Sequence, residues 1–487
     1  MEVRRCGAKP RRLLARGPVG IHGHRSAGYA PRLLGYALGR DTAQYPTACK
    51  ALKRTVILRT FSAGGARPLV AAPPPTPAPY AGAAFFFAPR LSMVSLAALV
   101  IPLLAVWLWG PVRGMSRRAR LVAIALTALL GVTPALLLKL LQAGAMDYAT
   151  LAYLQVPGGW VLGTLVLIIA FLLARDAAWL AARAAALMGG GDTWHLRLRS
   201  RRLTGTAVAL ALGAAGFGTA QGLQPPTVRE QVVHLPQLPE ALDGLRVAVL
   251  ADIHASPINH TAYVQSVVER THAARPDLIV LPGDLVDGDV GSSAAFVAPL
   301  AQLRAPHGVW AAPGNHEYYG GYNAWMAEFR RLGLGVLANQ TQVLQVNGAR
   351  LALSGVGDPV YGRTSHHNAD PRVPEGVPPD VPAVARQARA AQADFHLLLA
   401  HQPKLARDNA AHGVDLQVSG HTHGGLISGM DRWLVAPFNN GFVRGQYDVD
   451  GMRLFVSAGA GLWAGFAVRL GVQPHIDLLV LRRGTAS

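Results

Sequence analysis

Apolar positions along the chain fall into three regimes. Residues 1–90 hold neither the 3.6-residue period of a helix nor the two-residue period of a strand over any useful length. From about 91 to 223 the chain carries four apolar runs, each near the ~20 residues that a membrane-spanning helix needs. Beyond Gln224-Pro225-Pro226, short apolar runs alternate with helical stretches to the end. The pattern predicts a basic low-complexity tail over 1–90, membrane helices over 91–223, a linker over 224–240 and a folded domain over 241–487.

The four runs extend from about Leu91 to Gly110, Leu121 to Gln142, Trp160 to Leu187 and Thr204 to Leu223. Four in succession, separated by charged hinges, predict four transmembrane helices rather than buried core helices. Gly131 and Pro134 in the second run are tolerated in a membrane, where neighbouring groups re-satisfy the freed backbone. The first loop carries Arg113, Arg117, Arg118 and Arg120, and the third carries Arg197, Arg199, Arg201 and Arg202. The loop around Asp147 has no Lys or Arg. By the positive-inside rule the two arginine loops are cytoplasmic. The expected protein is therefore multi-pass, in a bacterial inner membrane, with the final domain on the extracytoplasmic side. Ser200-Arg201-Arg202-Leu203 also resembles a twin-arginine export signal, which delivers that domain to the same side and leaves cleavage of the fourth helix open.

Composition changes this picture little. A hydrophobic content of 51% is high for a soluble globular chain, and the excess lies between 91 and 223. Of the net charge of +19, residues 1–90 hold +13, fifteen Lys/Arg standing against Glu2 and Asp41. Charge confined to a patternless tail gives no reason to expect a nucleic-acid partner. The apolar run starting at Met93 favours Met93 as the true start, with an Arg-rich transit peptide or an ordinary disordered tail as the other readings. Cys6 and Cys49 both lie in the tail. Any metal in the C-terminal domain must therefore be held by nitrogen and oxygen ligands.

In that domain, strands are predicted at Leu245–Leu250, Leu278–Leu281, Val309–Ala311, Leu351–Leu353, Phe395–Leu399, Leu416–Val418, Leu454–Ser457 and Ile476–Leu481, with a helix at Tyr263–Ala273. Strand–loop–helix alternation points to a layered α/β sandwich with its site on loops at strand C-termini. Five polar clusters follow predicted strands: Asp252-Ile253-His254, Gly283-Asp284, Gly314-Asn315-His316-Glu317, His401 and Gly420-His421-Thr422-His423-Gly424-Gly425. Alternate side chains of Asp-x-His point the same way and can reach one ion. Glycines beside Asp284, Asn315 and His421 permit tight turns. An Asp/Asn/His set suits Mn, Fe or Zn.

In this order the clusters resemble the calcineurin-like metallophosphoesterase superfamily, and Gly-His-Thr-His-Gly-Gly behind several membrane helices is similar to its membrane-associated branch. The resemblance covers about residues 240–485. It implies a four-layer α/β/β/α sandwich and a dinuclear site. Asp252, His254 and His423 would hold one divalent ion, Asn315, His401 and His421 the other, and Asp284 both. Two ions 3.5–4 Å apart lower the pKa of a bridging water and clamp the phosphate during in-line attack, so the metal-bridging hydroxide is the implied nucleophile. His316 matches the histidine that protonates the leaving oxygen or stabilises the transition state, and with Asp284 it is the implied catalytic pair. Leu426 stands where Gln is frequent, and Ala255-Ser256-Pro257-Ile258 is less polar than usual; both bear on substrate fit. The expected function is a membrane-tethered hydrolase of phosphomonoesters or phosphodiesters, acting on phospholipid or cell-envelope substrates. Substrate-binding residues are unknown from sequence, and a non-catalytic membrane scaffold or sensor that keeps the cage is the alternative. A transporter has little support, Lys139 being the main charge within the clearly apolar spans. Tyr318, Tyr319 and Tyr322 could line the cleft or pack its loop. Arg444 and Arg469 could bind phosphate or stand in solvent, and His366-His367 reads as surface.

Overall fold

The computed structural model describes residues 93–142, 145, 148–188, 194–362 and 375–485. The basic tail, its two cysteines and His366-His367 lie outside the described residues. Four helices come first: α1 (Met93–Trp109), α2 (Arg117–Gln142), α3 (Tyr148–Leu187) and α4 (Arg201–Gly222). Leu121, Leu129, Leu180 and Leu210 are more than half exposed on them, a distribution suited to hydrocarbon rather than water. Three of the four, α2, α3 and α4, are long and apolar enough to cross a bilayer, against four expected. The 17 helical residues of α1 rise only about 26 Å, short of the ~30 Å hydrocarbon core. With 40 residues and a rise of about 60 Å, α3 exceeds a bilayer.

Ile101, Leu104 and Leu108 of α1 pack on Leu165, Ile168 and Leu172 of α3 and on Ala211 of α4. Gly131 of α2 fits this contact because a Cβ there would meet Ile101 and Leu165. The two arginine loops meet at one end of the bundle, where the Arg113 N–H donates to the Arg199 carbonyl at 2.7 Å. Beside them Asp176 accepts from Trp107 Nε1 and Arg175 Nε, both at 2.8 Å, and pairs with Arg199 at 3.5 Å.

Twelve strands follow in two mixed six-stranded sheets. They are β1 (Thr227–Leu235), β2 (Arg246–Val249), β3 (Leu278–Leu281), β4 (Val309–Ala311), β5 (Gly335–Val336), β6 (Gln340–Val346), β7 (Ala349–Gly355), β8 (Phe395–Leu399), β9 (Leu416–Ser419), β10 (Gly445–Val449), β11 (Met452–Val456) and β12 (His475–Arg483). The first sheet runs β1-β12-β2-β3-β4-β5 and the second β10-β11-β9-β8-β7-β6. Within them β2, β3 and β4 are parallel neighbours, as are β7, β8 and β9. These strands are short and buried on both faces, which explains their continuous apolar runs. The stretch expected as linker contains β1, which pairs in parallel with β12 from Thr227↔His475 to Leu235↔Arg483. Its outer residues, such as Val228 and Val232, remain exposed, so it carries no run that reads as buried.

The helices of this domain are α5 (Thr261–Ala273), α6 (Val290–Val297), α7 (Asn315–Tyr319), α8 (Tyr322–Arg331), α9 (Val381–Ala390), α10 (Ala406–Ala410) and α11 (Asp431–Leu434). One apolar core lies between the sheets, built from Val247, Val280, Leu353, Leu397, Val418 and Leu479. A second joins the first sheet to Val264 of α5 and to Trp325 and Phe329 of α8. A third joins the second sheet to Val384 of α9 and Ala406 of α10. Helices thus cover the outer face of each sheet, and the strand C-termini are left open for loops.

Candidate metal centre

Each expected ligand sits on a loop that leaves the C-terminal end of a parallel strand. Asp252 and His254 follow β2, Asp284 follows β3, and Asn315 and His316 follow β4 at the first turn of α7. From the other sheet, His401 follows β8, and His421 and His423 follow β9. The loops turn sharply on the expected ligands themselves: φ is +53° at Asp252, +48° at His254, +54° at Asp284, +73° at His421 and +47° at His423. Such backbone costs on the order of 1–3 kcal/mol per residue and persists only where the surroundings over-determine it. Here they do. Asp252 N–H donates to the Gly283 carbonyl at 3.1 Å, His254 N–H to the Asp284 carbonyl at 3.1 Å, and His421 N–H to the Asp252 carboxylate at 2.8 Å. Gly314 and Gly420 are needed because a Cβ at either would overlap Asp284 or Asp252.

The side chains converge into two triads. Ligand atoms of Asp252, His254 and His423 lie within 4.8 Å of one another, as do those of Asp284, His401 and His421. Asn315 joins the second, its Oδ1 standing 2.9 Å from His421 Nδ1. Asp284 Oδ2 lies 3.1 Å from His401 Nε2 and 3.9 Å from His254 Nε2, within reach of both triads.

The donor set fits divalent ions. His401 Nδ1 bonds the Pro282 carbonyl at 2.9 Å, which leaves its buried Nε2 turned toward Asp284 Oδ2 at 3.1 Å. His254 Nδ1 bonds Asp287 at 2.9 Å and leaves Nε2 facing His423 Nε2 at 3.1 Å. Fixing one ring nitrogen on a carboxylate or carbonyl is how ligating histidines are oriented. His423 differs, because Arg469 donates to its Nδ1 at 3.0 Å. Its proton then sits on Nε2, and ligation through that atom requires the proton to move.

Electrostatics follow from so many charges out of water. Burial would lower His401 and His316, but Asp284 and its neighbouring carboxylates outweigh it and push them up to about 10 and about 9. Burial would raise Asp284, yet His401 and His316 hold it well below the usual carboxylate range. Asp252 is raised, chiefly by burial. His421 falls to about 3 through burial and the neighbouring His401, and His423 is also lowered well below its ordinary value, by burial first and then His254. Protons on His401 and His316 therefore balance the buried carboxylates, and cations would compete with them.

Four side chains carry roles that the sequence did not mark. Asp287 holds both His254 and His316, the latter through Nδ1 at 2.6 Å, and its one signal was an acidic residue three positions after Asp284. Glu317 accepts from the N–H groups of Gly314, Leu285 and Asp284 at 2.7, 2.8 and 3.1 Å, tying the β3 and β4 loops together; burial lifts it to about 7. Trp463 stands 6.2 Å from the His423 ring and 6.3 Å from the His316 ring. Arg469 is fully buried and bonds His423, so it is neither a solvated arginine nor open to a phosphate. Arg444 donates to the Gly424 carbonyl and lies 3.6 Å from Asp431. Tyr318 and Tyr322 are buried and pack their loop, whereas Tyr319 is half exposed with its ring against His316.

The model of the calcineurin-like phosphoesterase family matches residues 245–425, a span that includes all seven expected ligands and His316. An uncharacterized metallophosphoesterase of Helicobacter pylori is 30% identical over 272 residues, 55% of this chain and 68% of that one. A Bos taurus transmembrane protein with metallophosphoesterase domain is 31% identical over 318 residues, 63% of this chain and 67% of that one. A putative metallophosphoesterase of Caenorhabditis elegans is 30% identical over 308 residues, and the chain spans 60% of its length. The His/Asp triads at the strand ends and these relatives agree, and the chain belongs to the calcineurin-like metallophosphoesterases, a family of phosphoric ester hydrolases.

Proposed function

We propose that the chain is a membrane-tethered, dinuclear metal-dependent hydrolase of phosphomonoesters or phosphodiesters, with its catalytic domain on the extracytoplasmic side. Asp252, His254 and His423 would hold one ion, Asn315, His401 and His421 the other, and Asp284 would be shared. Mn, Zn and Fe all suit these donors. When bound, two such ions acidify a water and draw charge from the phosphate oxygens. The carrying observation is that the two triads stand side by side with Asp284 Oδ2 in reach of both.

His316 supplies what a purely structural cage does not need. Asp287 grips its Nδ1, its side chain is 17% exposed, and a value of about 9 keeps it protonated at neutral pH. It can therefore deliver a proton to a departing oxygen. This favours hydrolysis over the scaffold reading. Extracytoplasmic orientation is supported by the meeting of both arginine loops at one end of the bundle. Reporter fusions after Leu223 test it, and activity of a cytoplasm-only reporter there overturns it.

The test of activity uses the full chain in detergent with an aryl phosphodiester and monoester, in Mn, Zn or chelator. Metal-dependent turnover that is lost in Asp284→Asn and His316→Ala is expected. Folded, metal-loaded protein that turns over neither substrate would support the scaffold instead.

A further inference from the structure

The catalytic domain is packed against its own membrane helices at a depth that can be measured along them. At one end of the bundle, Arg175, Asp176 and Arg199 cluster beside Arg113. Arg117, Arg118, Arg201 and Arg202 are exposed there, so this end meets water or headgroups. Trp160 and Leu167 of α3 precede Arg175 by fifteen and eight residues, about 22 and 12 Å along the axis. Ala215 of α4 follows Arg202 by thirteen residues, about 20 Å. These heights lie inside a hydrocarbon core about 30 Å thick, and tilt only lowers them.

Domain residues reach that depth. Ile427 and Val468 are buried against Ala215, with Trp160, Val166, Leu167, Met430, Leu434 and Phe466 around them. Thr219 of α4 donates to the Ala467 carbonyl at 2.6 Å, and Arg469 N–H to the Gly218 carbonyl at 3.1 Å. The same ledge bears Trp433 and Phe438, 72% and 76% exposed. Among the described residues after α4, no other large hydrophobic side chain exceeds 49%. A tryptophan and a phenylalanine bared to water at this level would be costly, whereas aromatic rings are at home at the lipid interface. The ledge also adjoins the metal centre: Asp431 at the start of α11 packs on Gly425, two residues beyond His423.

We infer that the ledge Ile427–Phe438 is immersed in the leaflet on the catalytic domain's side, so that the metal centre takes a phosphoester borne by a membrane lipid, headgroup first. The immersion follows from the helix packing alone; the substrate class rests on the hydrolase reading above. Occupancy by acyl chains, rather than by a second copy of the chain, follows from continuity of the ledge with the lipid-facing surface of α3 and α4.

The test uses the full chain with Cys6 and Cys49 changed to Ser and one new cysteine, Trp433→Cys, Phe438→Cys or, at the exposed far end of the second sheet, Gln345→Cys. Each is labelled with an environment-sensitive fluorophore and reconstituted in nanodiscs of phosphatidylglycerol and phosphatidylethanolamine. Labels at 433 and 438 should be quenched severalfold by bromine on the acyl chains and protected from iodide, with the reverse at 345. Iodide quenching at 433 and 438 equal to that at 345 overturns the immersion. So does protection that persists in a detergent oligomer and vanishes on dilution to monomer, which would assign the ledge to a second copy. For substrate class, the Mn-loaded Trp433→Ser/Phe438→Ser variant should keep soluble aryl phosphodiester turnover within twofold of the parent and lose at least tenfold on vesicles of the same two lipids. Equal loss on both substrates, or no loss on vesicles, overturns the lipid assignment. A parent inactive on the soluble ester sinks the hydrolase reading instead, while the labelling result still decides the ledge.

Discussion

Asp287→Asn isolates a carboxylate that touches no expected ion yet holds two of the site's histidines. It accepts from His254 Nδ1 at 2.9 Å and from His316 Nδ1 at 2.6 Å, and the residue is 7% exposed. Both bonds end on Oδ1, so an amide oxygen can keep their positions, but the charge is gone and neither bond stays charge-assisted. Losing one buried charge-assisted bond costs on the order of 1.5–3 kcal/mol, or roughly 10- to 150-fold. The same range is typical of carboxylates that orient ligating histidines. The charge has a second effect. Burial alone would lower His316, and Asp284 and Asp287 together bring it to about 9. Without Asp287 the value falls, and a group that must be protonated then fails at lower pH. The alkaline limb of kcat should move down, most visibly with a poor leaving group that needs its proton. The assay is kcat and kcat/KM of full-length protein from pH 5 to 10 at saturating Mn, with metal content measured in parallel. Added to His316→Ala, the substitution should cost only the part that acts through His254. If kcat/KM stays within twofold at every pH and metal affinity is unchanged, the orienting role is wrong.

Three further outcomes are expected. Gly314→Ala drives a Cβ into Asp284, so metal content should fall at least tenfold while far-UV circular dichroism is kept; full loading would refute the need for that approach. His396 is pushed down to about 4, by burial first and then Arg389, and shares a 2.8 Å bond with Ser354 Oγ. Its folded value lies below the unfolded ~6.5, so its contribution is complete above pH 6.5 and is lost as pH falls toward 4, by up to about 3 kcal/mol; urea midpoints of His396→Gln should be flatter over that window. Thr219→Val leaves the Ala467 carbonyl without its 2.6 Å donor and should cost about 1–2 kcal/mol, seen as a lower Tm in detergent.

The residues that the fold gathers at the strand ends were legible because metal chemistry restricts residue type and the fold restricts position. Asp252, Asp284, Asn315, His401 and His421 could be picked out as polar residues directly after apolar strand runs. What escaped has no such double restriction. Asp287 and Arg469 act on His254, His316 and His423 through space, from positions where their types are common and solvated. Trp463 lies on the loop between β11 and β12 and reaches His316 only after the chain has closed over itself. β1 was read as linker because one side is exposed and its pairing partner, β12, is 248 residues away. Among the described residues α1 has 17 helical residues, so composition over Leu91–Gly110 predicted a longer helix than the 93–109 described. The burial of the 463–470 loop against α3 and α4 is a tertiary fact with no local signal.

Only four residues, 223–226, separate α4 from β1, and two of them are Pro225 and Pro226. A junction that short and stiff gives the catalytic domain no reach, unlike a flexible linker whose span grows with the square root of its length. The domain cannot swing out to sample solution or a facing membrane. If the substrate is borne by a lipid, as inferred above, its encounters are two-dimensional, with whatever diffuses laterally past one fixed azimuth of the helix bundle. Turnover of a lipid-borne ester would then scale with that lipid's mole fraction in the surrounding bilayer and not with the amount of lipid in the sample.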